Sequence, residues 1–139
     1  MDSTLLQEHA RAAVRSFITS SRRARLLTLL EEPTARHWEK FRQELAGGFE
    51  HSLDERWARP LATGEQNPKA VEQLLRAAGA PESCVVFSDA VTDDGEYALT
   101  TGLELVGIAQ GVLVSCIPGV LAYHESENTD RYLLHRPPA

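Results

Sequence analysis

From Ser3 to Ser20 the apolar residues Leu6, Ala10, Ala13, Val14, Phe17 and Ile18 recur at three- and four-residue steps. That spacing lays one stripe along a helix. Ser20 or Ser21 can cap a second, short helix, which ends near Glu31 because Pro33 cannot continue it. Thr34 can cap a third, with Trp38, Phe41 and Leu45 on one face and Gly47-Gly48 as its stop. Residues 49–66 show no period and read as irregular chain, anchored to a core by Phe49, Leu53, Trp57 and Leu61. The fourth helix has the sharpest boundaries. Asn67 is a good N-cap, Pro68 suits the first helical position, and Gly79 suits the position past the end. Val71, Leu74, Leu75 and Ala78 form its buried stripe.

After residue 80 the pattern changes. Cys84-Val85-Val86-Phe87 is a short apolar run rich in β-formers and predicts a strand. Asp93-Asp94-Gly95 reads as a turn. Residues 99–110 carry both signals. Leu99, Leu103, Val106 and Gln110 space like a helix, and Thr101 with Glu104 forms a capping box, whereas Gly102 and Gly107 weaken a helix; helix is the expectation. Three strands follow, at about 111–117, 120–125 and 131–136.

Pro118-Gly119 suits a type II turn, with proline fixing φ at the first central position and glycine allowing positive φ at the second. If Ile117 pairs with Val120, then Cys116 faces Leu121, Val114 faces Tyr123 and Val112 faces Glu125. One sheet face then carries Val112, Val114, Cys116, Leu121 and Tyr123, and is expected to meet the helices. The other carries Leu113, Ser115, Ile117, Val120, Ala122 and His124. It is too apolar to be left in water. The 99–110 helix or a second copy of the chain is the expected cover.

Helices first and strands last predict an α+β fold: four or five helices on a roughly four-stranded, mainly antiparallel C-terminal sheet. The 139 residues suit a single domain, helical over about 3–80 and sheet over about 83–136. No apolar run is long enough to span a bilayer, so no membrane partner is expected. The start Met1-Asp2-Ser3 lacks the basic and apolar regions of a signal peptide. Cys84 and Cys116 sit in apolar runs, as buried reduced thiols do; a cytoplasmic location is expected. The net charge of −6 is uneven: twelve basic and eleven acidic residues fall in 1–80, two basic and nine acidic in 81–139. An acidic C-terminal half argues against a nucleic-acid-binding sheet and leaves open a basic partner or merely a soluble surface; a protein is the expected partner, not nucleic acid.

Few residues point to chemistry. Cys116 and His124 fall on opposite faces in the expected register, so they do not make a nucleophile and base. Cys84, Cys116, His124 and His135 lack the paired spacing of a zinc site, and Asp89 to Glu96 lacks the alternation of a calcium loop, so neither metal nor cofactor is expected. His124, Glu125 and Tyr132, with Glu127 nearby, are the candidate acid–base residues at the 124–131 hairpin. The plainer reading there is an ion pair between Glu125 and Arg131 across the strands, with Tyr132 across from His124. Arg22, Arg23 and Arg25 are the candidate binding residues. They begin a helix, where positive charge opposes the macrodipole, and an anion or acidic partner would relieve it. The plainer reading is a solvated face whose arginine stems cover apolar neighbours. Gly-x-Gly-x-x-Gly, P-loop, Gly-x-Ser-x-Gly and His-Glu-x-x-His motifs do not occur.

The run Ser115-Cys116-Ile117-Pro118-Gly119-Val120-Leu121-Ala122-Tyr123, with the earlier Ser21-Arg22-Arg23-Ala24-Arg25 and the later Arg131-Tyr132-Leu133-Leu134, resembles a family of small uncharacterised bacterial proteins. The likeness extends loosely over 15–136. It implies a bacterial, cytoplasmic, single-domain protein and transfers no activity, cofactor or site. The expected function is a non-enzymatic protein-interaction or regulatory domain, with a tendency to homodimerise. A small hydrolase or transferase using the 124–131 hairpin is the alternative.

Overall fold

The computed structural model describes residues 3–32, 34–46, 49–88, 94–105, 111–126 and 130–138. Among them run α1 (Ser3–Phe17), α2 (Ser20–Glu31), α3 (Ala35–Ala46), β1 (Ala58–Pro60), α4 (Pro68–Ala77), β2 (Ser83–Ser88), β3 (Gly95–Ala98), α5 (Leu99–Leu105), β4 (Val112–Ile117), β5 (Leu121–Glu125) and β6 (Arg131–His135). The α+β class and the five helices are as expected. The sheet has six strands where about four were expected. It is antiparallel throughout, in the order β1-β6-β5-β4-β2-β3.

The two extra strands are the edges. β1 lies within the stretch read as irregular and pairs Ala58 with Leu134 and Pro60 with Tyr132. β3 pairs Cys84 with Tyr97 and Val86 with Gly95. Three and four residues are too few to show an alternation, and proline at an edge costs no ladder bond.

Helix boundaries follow the capping chemistry in part. The Asn67 side chain accepts from the Ala70 amide at 2.9 Å. At the other end Gly79 takes a positive φ of 103°, and the Ala80 and Gly79 amides close back on Leu75 and Arg76 at 3.0 Å each, a Schellman end. Thr34 caps α3 through the His37 amide at 3.2 Å. The expected serine cap of α2 does not form: α1 ends at Phe17, and Thr19 stands at the α2 N-cap without a side-chain bond to a helix amide. The break is fixed by β-type contacts instead, with Ile18 bridging Leu53 and the Thr19 amide donating to Ser52 at 2.8 Å. Helix α5 starts at Leu99, two residues before the expected capping box, with its first amide held by the Glu82 carbonyl at 2.8 Å. The Gly47-Gly48 stop, residues 106–110 of the expected helix, Asp93 of the expected turn and Glu127 lie outside the described residues.

Both sheet faces are covered. Helices α1, α2 and α3 pack Ala13, Val14, Phe17, Leu26, Leu30 and Phe41 onto Val85, Phe87, Leu113, Ala122 and Leu134. Helices α4 and α5 pack Val71, Leu75, Leu99 and Leu103 onto Val86, Val112, Val114, Leu121 and Tyr123. The second face is therefore buried, as expected, but α1–α3 cover it, not the 99–105 helix or a second copy. Helix α5 lies on the opposite face. The apolar ground for a homodimer on that face falls away.

The β4–β5 register is the expected one from Val112↔Glu125 to Ser115↔Ala122. Then a bulge at Cys116 shifts it by one, so that Ile117 pairs with Leu121 and not with Val120. The bulge turns Ile117 and Val120 toward the α4/α5 side, correcting their expected place. The Pro118-Gly119 turn is as expected: Gly119 has a φ of 72°, and the Val120 amide donates to the Ile117 carbonyl at 3.0 Å.

Candidate functional site

Strand alternation places Tyr123 and Glu125 on one sheet face, two residues apart, and the β5–β6 register sets Arg131 opposite Glu125. The Tyr123 hydroxyl donates to Glu125 Oε2 at 3.2 Å, and Arg131 Nε lies 3.4 Å from the same oxygen. The expected ion pair is therefore present. Arg131 also donates through Nη1 to the Gln66 carbonyl, which joins β6 to the chain just before α4. Tyr123 and Glu125 are buried.

These three side chains border a cavity of about 150 Å³. Its other walls include Asn67 and Pro68 at the N-terminus of α4, Val71 one turn on, and Leu103 of α5. The lining joins apolar surface to a few polar groups, the usual make-up of a small-molecule site. Burial pushes the Glu125 carboxyl up from its ordinary range, against the opposing pull of the Arg131 charge and the Tyr123 hydrogen bond. Burial, helped by the nearby Glu125 charge, pushes the Tyr123 phenol up as well. Arg131 Nε is buried and makes no hydrogen bond of good geometry among the described residues, so its contact with Glu125 is an ion pair.

The three acid–base candidates do not converge. Tyr132 stands across from His124, as expected, but both lie on the face covered by α1–α3, whereas Glu125 lies on the other. His124 is fully buried against Phe49, with ring centroids 4.8 Å apart. Its Nδ1 meets the Val112 carbonyl at 2.8 Å. A carbonyl can only accept, so Nδ1 carries the proton. Burial lowers the imidazole to about 4, so it is a neutral core residue at neutral pH.

A second buried histidine escaped the sequence reading. His9 lies between Leu6 and Ala13 in the α1 stripe and sits 2.7 Å from Ser115 Oγ through Nδ1. Its position in the stripe was the available signal. Cys84 and Cys116 are buried and reduced on the α4/α5 face, and burial pushes both thiols up to about 12, as for core thiols. Among the described residues no three His, Cys, Asp or Glu side chains gather to hold a metal ion.

The three candidate arginines separate. Arg23 turns inward and donates to the Ile18 carbonyl at 3.0 Å. Arg22 and Arg25 reach across to α3 and share one carboxylate, Glu44, at 3.3 and 3.1 Å. They line an open groove of about 510 Å³ between α2 and α3, with Leu29, Lys40 and Gln43. Asp94, from the loop weighed as a calcium site, is engaged by Arg42 at 3.1 Å and by the Ser88 amide at 3.0 Å.

No family model, curated protein or solved structure matches this chain. Among the described residues no helix is long and apolar enough to cross a membrane.

Proposed function

We propose that the protein is a non-enzymatic regulatory domain that holds a small neutral molecule in the cavity beside Tyr123, Glu125 and Arg131. One observation carries this reading: a buried carboxyl and a guanidinium, paired with each other, border a cavity with largely apolar walls. A carboxyl has two oxygens and a guanidinium five N–H donors, so the pair can take further hydrogen bonds. A carboxamide offers an N–H donor and a carbonyl acceptor side by side and suits both. A second carboxylate would face the Glu125 charge, and an amine would face that of Arg131. At roughly 30 Å³ per water, the cavity volume suits a ligand of only a few heavy atoms, with an apolar end toward Val71 and Leu103.

Holding is favoured over hydrolysis or group transfer. The phenol that borders the cavity is pushed up by burial, away from a nucleophilic phenolate at neutral pH. His124, the imidazole of the expected trio, is on the other side of the sheet. The test is the midpoint of thermal unfolding with propionamide, propionate or propylammonium at equal concentration. A ligand that binds only the folded state raises the midpoint. Propionamide is expected to raise it most, and equal shifts from all three would refute the reading.

A further inference from the structure

We infer that the groove between α2 and α3 is a docking site for an acidic, partly apolar protein segment. Its rim carries three cations, Arg22, Arg25 and Lys40, against one carboxylate, Glu44. Glu44 is mostly buried and is shared by both arginines, so it neutralises one charge of the three. Arg25 remains largely exposed, with 64% of its side chain in solvent. The same rim carries Leu29, which gives the groove an apolar contact.

Charge complementarity selects an acidic occupant, and the geometry favours protein over nucleic acid. A duplex brings a continuous row of phosphates, which would meet the Glu44 carboxylate in the groove. A peptide can place single carboxylates at Arg22, Arg25 and Lys40 and an apolar side chain at Leu29. The placement also explains the arginines at the start of α2, where the macrodipole opposes them. Part of that cost is offset by Glu44, and a docked segment would offset more. This site is independent of the Tyr123–Glu125–Arg131 cavity.

The test is fluorescence anisotropy with a labelled peptide of alternating glutamate and leucine, against a labelled DNA duplex, at low salt. The peptide is expected to bind saturably, and more weakly at about 0.3 M salt, where exposed charges are screened. Lys40→Gln touches neither ion pair to Glu44, and is expected to weaken binding about two- to fivefold, the worth of one exposed pair. Replacing Arg22, Arg25 and Lys40 together by Gln is expected to weaken it about tenfold or more. Glu44→Gln removes the competing carboxylate, and is expected to tighten binding. Three results would overturn the inference: no saturable peptide binding at low salt, tighter binding of the duplex than of the peptide, or unchanged binding in both Lys40→Gln and Glu44→Gln.

Discussion

Glu125 and Arg131 face each other across β5 and β6, with Arg131 Nε 3.4 Å from Glu125 Oε2, on the sheet face that α4 and α5 cover. The pair does two things. It neutralises a buried carboxyl, and through the Arg131 bond to Gln66 it ties the sheet to the approach of α4. The cavity beside it is thus bounded by two structural layers, the sheet and the α4/α5 layer.

Arg131→Met keeps an apolar stem and removes the cation. The buried carboxyl then loses its partner, at a cost of about 1–3 kcal/mol in urea denaturation near pH 7. The loss depends on pH. Glu125 is already raised in the fold, so the folded protein holds that proton more tightly than the unfolded chain does. Its contribution to stability therefore falls as pH rises through the window between its unfolded and folded values. Without Arg131 that window widens upward, so the deficit of the variant is expected to be larger at about pH 7 than at about pH 5.

His124 works in the opposite direction. Its value drops from an ordinary 6.5 to about 4 on burial, so the unfolded chain takes up a proton that the folded protein refuses. Stability from this group is complete above about pH 6.5 and is lost as pH falls toward about 4. His9 is also lowered by burial and adds to the loss. His124→Asn retains an N–H donor for the Val112 carbonyl and cannot be protonated. Urea midpoints measured at about pH 7 and about pH 5 are expected to fall less in the variant than in the wild type; an equal fall would remove His124 as a source of the acid sensitivity.

How far this was legible in the chain depends on the range of the interaction. Local signals held: Asn67, Pro68 and Gly79 bound α4, and Pro118-Gly119 set the turn and most of the β4–β5 register. The register also placed Arg131 across from Glu125 and Tyr132 across from His124. What failed was tertiary. Nothing local says that α1–α3 cover the Leu113 face and α4–α5 the Val114 face. The bulge at Cys116 was not anticipated from the residues, and it moved Ile117 across the sheet. Alternation along β5 separates His124 from Glu125, so the expected trio could have been rejected from the sequence, and Tyr123-x-Glu125 opposite Arg131 read in its place.

Gly102 lets α5 pack close against the sheet. A Cβ there would sit 2.7 Å from Cys84 Sγ and 3.2 Å from Val86 Cγ2. Gly102→Ala gains helix propensity of about 1 kcal/mol but overpacks a full core, at about 1–3 kcal/mol. A net loss of stability is expected, and adding Cys84→Ala is expected to restore it. Two independent, additive losses in that double-mutant cycle would mean that the two side chains do not meet.

The cavity itself is tested most directly by protein-detected NMR during a titration with propionamide. The expected result is saturable shifts confined to the signals of Asn67, Val71, Leu103 and Tyr123, absent in Glu125→Ala and much weaker with propionate or propylammonium. Shifts that stay linear in concentration, that scatter over the surface, or that are as large with propionate would contradict a neutral-ligand site beside Glu125 and Arg131.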